Sequence, residues 1–304
     1  MNSISNFENL LRNKRTSLWF ETFLKNTNEK QNTNLFISEL FQKYIDKNKE
    51  VKKDFIILDL GCGNGILSEH IGKLFLKNKL NLKYYGVEKN SNFVRSTSNR
   101  LNDIGIENEI LEGDFFGEIL LHFNDKIDIL LVSHSAYYIN DYSFLLHFIQ
   151  NIFHKINING LALFIHESKD SDINCLGEKY KGNDFVDIVN NLTKAIQFYI
   201  REHKNMSLEL RAIESEVYFP YNMEDLWNEL VENSFNFNSI CLKENFVIAK
   251  YLLEFIIEKP LEILGNSGML LEYLSNVKFR LENQNHRLQT KSIAHVCYFN
   301  VNAP

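Results

Sequence analysis

Gly61, Gly63 and Gly65 are spaced two apart in DLGCGNG (59–65), in a chain of 304 residues with only thirteen glycines. Such a loop lets backbone N–H groups approach a ligand, because glycine has no Cβ and tolerates positive φ. Asp59 stands just ahead of the loop in an apolar run, and Cys62 and Asn64 lie within it. Glu88 in YYGVEKN and Asp114 in LEGDFF end two further β-type runs, and Ser133, His134 and Ser135 leave a fourth, ILLVSHSAYY. An acid alone at a strand end is more often solvated than a ligand. Three at successive strand ends point to one binding site, because ligands of open α/β sheets sit at the carboxyl ends of the strands. His134 adds an imidazole, whose reference pKa near neutrality suits a proton acceptor.

The elements that must position these residues are legible as an alternation. FIILDL (55–60), KYYGVE (83–88), ENEILEGD (107–114), IDILLVS (127–133) and GLALFIHE (160–167) read as strands. GILSEHIGKLFLK, SNFVRSTSNRLND and DYSFLLHFIQNIFHKI lie between them with apolar residues at helical spacing. Alternation of this kind predicts an α/β fold with a parallel sheet, since each parallel crossover needs a helix-length connection. Helices are expected at 5–25 and 34–47, joined by a polar connection over 25–34, and again at 183–202. A β-like stretch is expected at 207–219, a mostly helical region over 223–284 and a closing strand at 292–301. These elements divide into an N-terminal helical cap (1–50), an α/β core (51–220), a helical lid (221–290) inserted before the last strand, and that strand (291–304). No repeat or Pro/Gly linker marks a second independent domain, and there are three prolines in all.

Composition narrows the class. Hydrophobic residues at 44% and charged residues at 24% describe a soluble globular chain. The net charge of −6 and the merely local basic run Lys47, Lys49, Lys52 and Lys53 argue against a nucleic-acid partner. Cys62, Cys175, Cys241 and Cys297 are far apart with no metal-ligand spacing, which predicts free thiols in a reducing compartment and no structural zinc. No signal core or membrane-spanning run is present in the sequence, so a cytoplasmic monomer or homodimer is expected.

A dinucleotide fingerprint would need its third glycine at 66, where Ile66 stands; this disfavours a nicotinamide-dependent oxidoreductase. ILDLGCGNG instead resembles the first motif of class I S-adenosylmethionine-dependent methyltransferases. The resemblance implies a seven-stranded Rossmann-like methyltransferase sheet with helices on both faces, and S-adenosylmethionine as cofactor. It assigns the cofactor to Asp59, Gly61, Cys62, Gly63, Asn64, Gly65, Glu88, Asp114, Phe115 and Ser133. Glu88 would take the two ribose hydroxyls, and Asp114 with Phe115 the adenine. The Asp/Asn-Pro-Pro-Tyr/Phe sequence of amino-group methylases acting on nucleic acids or glutamine is absent from the exit of the fourth strand. No acidic cluster suggests a divalent metal site, since Asp128 lies inside a strand and Asp141 stands alone.

Within that superfamily the chain is similar to histamine N-methyltransferase and its small-molecule relatives. The resemblance rests on the Tyr137–Tyr138 pair, the Trp-containing MEDLWNELVENSFNFN (223–238) and the final strand. It implies acceptor contacts from Glu29, His134, Tyr137, Tyr138 and Phe237. Two positions depart from the pattern: His134 replaces a glutamine, and Lys291 stands near an expected asparagine. The expected reaction is methyl transfer to a small-molecule nitrogen, with His134, or a water held by Ser135, accepting the proton. Two alternatives stay open: a carboxyl-O- or C-methyltransferase, and a cofactor-binding protein without turnover.

Overall fold

The computed structural model describes residues 18–114, 123, 125–136, 139, 141–181, 187–203, 205–220, 225, 226, 228, 244–264 and 268–299. Helices α1 (18–25) and α2 (Glu29–Asn48) precede β1 (Asp54–Leu60), α3 (Ile66–Lys77), β2 (Asn81–Glu88), α4 (Ser91–Asp103) and β3 (Glu107–Glu112). Next come β4 (Ile127–Ser133), α5 (Tyr142–Phe153), β5 (Ile156–Glu167), α6 (Asp172–Lys181), α7 (Ile188–Glu202) and β6 (Met206–Tyr218). Helix α8 (Glu244–Ile257), a 3-10 turn (Leu261–Leu264), α9 (Gly268–Asn283) and β7 (Arg287–Phe299) follow.

The strands form one seven-stranded sheet in the order β3-β2-β1-β4-β5-β7-β6. Strands β1 to β5 pair in parallel, and β7 runs antiparallel to β5. The strand order reverses at β1, which lies between β2 and β4, so the crevice for a ligand opens where β1 ends. This is the α/β, Rossmann-like methyltransferase sheet expected from the sequence.

Contacts divide the chain into two compact units, each assembled from three separated segments; no linker composition marks them because neither is continuous in sequence. One unit comprises Thr33–Glu167, Val186–Ile213 and Ser292–Pro304. Here side-chain alternation serves two buried faces. Leu58, Leu130, Val132, Ala162 and Phe164 face α5 and α7, whereas Ile57, Ile129, Leu131, Leu163 and Ile165 face α2, α3 and α4. Burial on both sides explains why the central strands read as continuous apolar runs. Asp128 serves the fold at the opposite end of the sheet, taking Lys52 Nζ at 2.6 Å, the Ile56 N–H at 2.8 Å and Asn157 Nδ2 at 2.7 Å.

The other unit comprises Met1–Asn32, Ser168–Phe185 and Glu214–Lys291. Its core includes Phe23, Tyr180, Phe246, Leu253, Tyr273 and Leu281. The buried Glu254 carboxylate is satisfied by Trp19 Nε1 at 2.7 Å, Lys250 Nζ at 2.6 Å and the Leu261 N–H at 3.1 Å. Among the described residues no helix is long and apolar enough to cross a membrane.

Helix α2 starts at Glu29, inside the stretch expected to be a polar connection. Asn28, Asn32 and Thr27 within that stretch are tied to β6 rather than left to solvent. Asn28 Oδ1 accepts the Glu216 N–H at 2.7 Å, Asn32 Nδ2 donates to the Glu214 carbonyl at 2.8 Å, and Thr27 bridges to Val217. Helix α6 was not anticipated, and β5 and β7 begin at Ile156 and Arg287, each earlier than the sequence suggested.

Candidate functional site

The chain leaves β1 through three left-handed glycines, with φ of 83° at Gly61, 59° at Gly63 and 80° at Gly65. A Cβ at Gly65 would lie 2.6 Å from Thr97 Cα, whereas one at Gly63 would meet nothing within 4 Å. Gly65 is therefore glycine for packing against α4, and Gly63 leaves the loop open on one side. The loop is held in place by its neighbours. Gly61 and Cys62 N–H donate to the Val87 carbonyl at 2.8 and 3.2 Å, and the Thr97 hydroxyl donates to the Gly63 carbonyl at 2.8 Å. Asn64 Oδ1 lies 3.4 Å from the Ile66 N–H at the start of α3.

Asp59 and Cys62 support the loop from the buried layer. Asp59 is 2% exposed and accepts from the Tyr84 hydroxyl at 2.5 Å; that hydroxyl lies 2.9 Å from Ser68 Oγ. Burial pushes the Asp59 carboxyl up to about 7, aided by the negative charge of Glu88 and opposed by the Tyr84 hydrogen bond. The Cys62 thiol is pushed far up, chiefly by burial. A Cβ on Gly86 would come within 3.0 Å of its sulfur, so β2 carries glycine there.

At the end of β2 the half-buried Glu88 accepts the Gly63 N–H on Oε2 and the Asn90 N–H on Oε1, both at 2.9 Å. A carboxylate offers about four lone-pair sites, so each oxygen keeps capacity for a further donor. Asp114 is exposed just beyond β3. The sheet order therefore sets Asp114, Glu88, the glycine loop and Ser133 at the carboxyl ends of four adjacent strands.

His134 follows β4 with a left-handed φ of 52°, and its N–H donates to the Ile165 carbonyl at 2.8 Å. Its ring meets that of His166 edge-on, with centroids 6.3 Å apart. His166 is wholly buried and held well below the usual imidazole range, first by burial and then by His134 and His295. His295 is pushed down to about 4 by burial, and its Nε2 lies 2.8 Å from Thr193 Oγ1. Sequence reasoning missed His166 and His295; the available signal was a histidine within each of two expected strands, GLALFIHE and SIAHVCYFNV. Of the other expected acceptor contacts, Glu29 lies in the first turn of α2, in the other compact unit, rather than in a loop. Phe115, Tyr137, Tyr138 and Phe237 lie outside the described residues.

Residues 28–131, about a third of the chain, match the model of a family described as Methyltransferase domain. The chain carries an S-adenosylmethionine-dependent methyltransferase domain. The matched segment runs through the glycine loop, Glu88 and Asp114. A comparison with curated protein sequences returns no match. Among solved structures, the methyltransferase is similar to a Galdieria sulphuraria protein provisionally assigned as a sarcosine dimethylglycine methyltransferase. Identity is 14% over 88% of this chain and 86% of that one, with a TM-score of 0.48. It is also similar to an rRNA methylase from Streptococcus thermophilus, at 15% identity over 57% of this chain and 84% of that one, with a TM-score of 0.37. Neither likeness bears on the acceptor.

The residues present fit the cofactor. Space on the open side of Gly63, spare acceptor capacity on Glu88 and an exposed carboxylate at Asp114 follow the order of the methionine, ribose and adenine portions that the motif implies.

Proposed function

We propose that this methyltransferase acts on a small molecule that presents an uncharged nitrogen, with no nucleic acid involved. When bound, S-adenosylmethionine supplies a methyl group activated by its sulfonium, so the acceptor needs chiefly a free lone pair held in line. Alkylation of this kind asks the protein for positioning and exclusion of water more than for covalent help.

The observation that carries the reading is the His134 corner on the strand next to the glycine loop. His166, the ring partner of His134, is held neutral by burial, so it adds no charge of its own beside an amine that arrives uncharged. In this reading Gly61–Gly65, Glu88, Asp114, Phe115 and Ser133 hold the cofactor, with Asp59 and Cys62 bracing the loop. His134 takes the proton that the nitrogen releases, and Glu29, Tyr137, Tyr138 and Phe237 keep the acceptor roles implied by the resemblance to histamine N-methyltransferase-like enzymes. The segments 1–50 and 221–290 remain the proposed cap and lid of a cytoplasmic monomer or homodimer.

The test is a panel of primary, secondary and aromatic amines alongside carboxylic acids, incubated with methyl-labelled S-adenosylmethionine and read by mass spectrometry. Label on an amine nitrogen supports the reading. Label confined to carboxylates or carbon overturns the nitrogen assignment.

A further inference from the structure

We propose that Ser135 is a positioning residue for the cofactor loop, acting through the peptide between Leu60 and Gly61; this rests on reading Gly61–Gly65 as the cofactor cradle. The paired register of β1 with β4 ends at Asp59 and Leu131, so the Leu60 carbonyl lies one step beyond the ladder. That carbonyl is taken instead by a side chain. The Ser135 hydroxyl, only 6% exposed as a residue, donates to it at 2.6 Å.

The N–H of the same peptide, on Gly61, donates to the Val87 carbonyl at 2.8 Å. The hinge from which the glycine loop departs is thus fixed on the β4 side by Ser135 and on the β2 side by Val87. For Ser135 to reach back to β1, the chain must turn sharply after β4, and it does so at His134, whose φ of 52° is unusual for a residue with a Cβ. The Ile165 carbonyl holds that turn through the His134 N–H. The left-handed corner therefore joins the proposed acceptor-side histidine to the cofactor loop through two fixed hydrogen bonds. Backbone strain of this kind persists where its surroundings over-determine it.

Losing the hydroxyl leaves the Leu60 carbonyl buried without that donor and frees the hinge. In Ser135→Ala, S-adenosylhomocysteine binding by calorimetry is expected to weaken about tenfold, the ratio that about 1.4 kcal/mol represents. Amide exchange at residues 61–65 is expected to accelerate by a similar factor, while exchange in α5 and α7 stays as in the parent. Ser135→Thr, which keeps the hydroxyl, is expected to restore both readouts to within about twofold. Ser135→Cys, near in size and a weaker donor, is expected to fall between, and it serves if the alanine variant does not fold.

Binding within about twofold of the parent in the alanine variant overturns the proposal. So does exchange that rises equally across the whole sheet, since that marks a residue serving stability alone. A parent protein that binds no S-adenosylhomocysteine refutes the cofactor reading instead; exchange at 61–65 then still decides whether Ser135 positions the loop.

Discussion

Substituting alanine at Gly63 and at Gly65 separates ligand approach from fold, because the two glycines share a backbone conformation and differ in surroundings. Both are left-handed, which costs a residue with a Cβ about 1–2 kcal/mol. At Gly65 the new methyl also meets Thr97 Cα at 2.6 Å and Thr97 Oγ1 at 2.8 Å, backbone and side chain of a helix that cannot yield alone. Overpacking of that kind adds about 1–3 kcal/mol, bringing Gly65→Ala to roughly 2–5 kcal/mol. At Gly63 no atom lies within 4 Å of the added Cβ, so the loss stays near the backbone cost. For a chain of this size the melting temperature falls about 2 °C per kcal/mol. Gly63→Ala should thus melt about 2–4 °C low and Gly65→Ala about 4–10 °C low. Cofactor affinity should run the other way for Gly63→Ala, because its methyl enters the space on the open side of the loop. A weakening of S-adenosylhomocysteine of about a hundredfold or more is expected, read by calorimetry on protein whose melting curve is otherwise intact. If Gly63→Ala binds S-adenosylhomocysteine within twofold of the parent, the loop's open side is not where the cofactor lies and the reasoning fails.

Asp59 should impose a pH dependence on stability. Its carboxyl rises on folding from about 4 to about 7, so the folded state holds the proton more tightly, and stability falls as pH climbs through that window. The contribution lost is about 4 kcal/mol, and Asp59→Asn, which still accepts from Tyr84, should flatten the profile between pH 4 and 7 in urea unfolding. Identical slopes in the two proteins would count against a protonated Asp59. For His134→Ala, turnover on the acceptor found by the panel should drop about a hundredfold, with S-adenosylhomocysteine affinity held within twofold. Unchanged turnover removes His134 from the mechanism.

The glycine loop and the acids at positions 88 and 114 were legible because they depend on local features: apolar runs, their ends, and glycine where the chain must turn. The supports beneath them depend on which strands become neighbours. Asp59 meets Tyr84 only because β1 pairs with β2, and Ser135 meets Leu60 only because β4 lies on the other side of β1. His166 and His295 were hidden for the same reason, being drawn together by the pairing of β5 with β7. The early start of α2 was missed because Asn28, just before it, and Asn32, in its first turn, are satisfied by β6, more than 180 positions away. The two compact units left no trace in composition, since each draws on three separated stretches of chain.

The central claim is that the bend after β1, with Glu88 beside it, receives the adenosyl and methionine portions of S-adenosylmethionine. Calorimetric titration of the intact chain with S-adenosylhomocysteine, repeated on Glu88→Ala and set against NAD, tests it most directly. The account predicts one saturable site per chain, a loss of about tenfold or more in Glu88→Ala, and no heat from NAD. Saturable binding of NAD, or binding of S-adenosylhomocysteine that ignores the loss of Glu88, would contradict it.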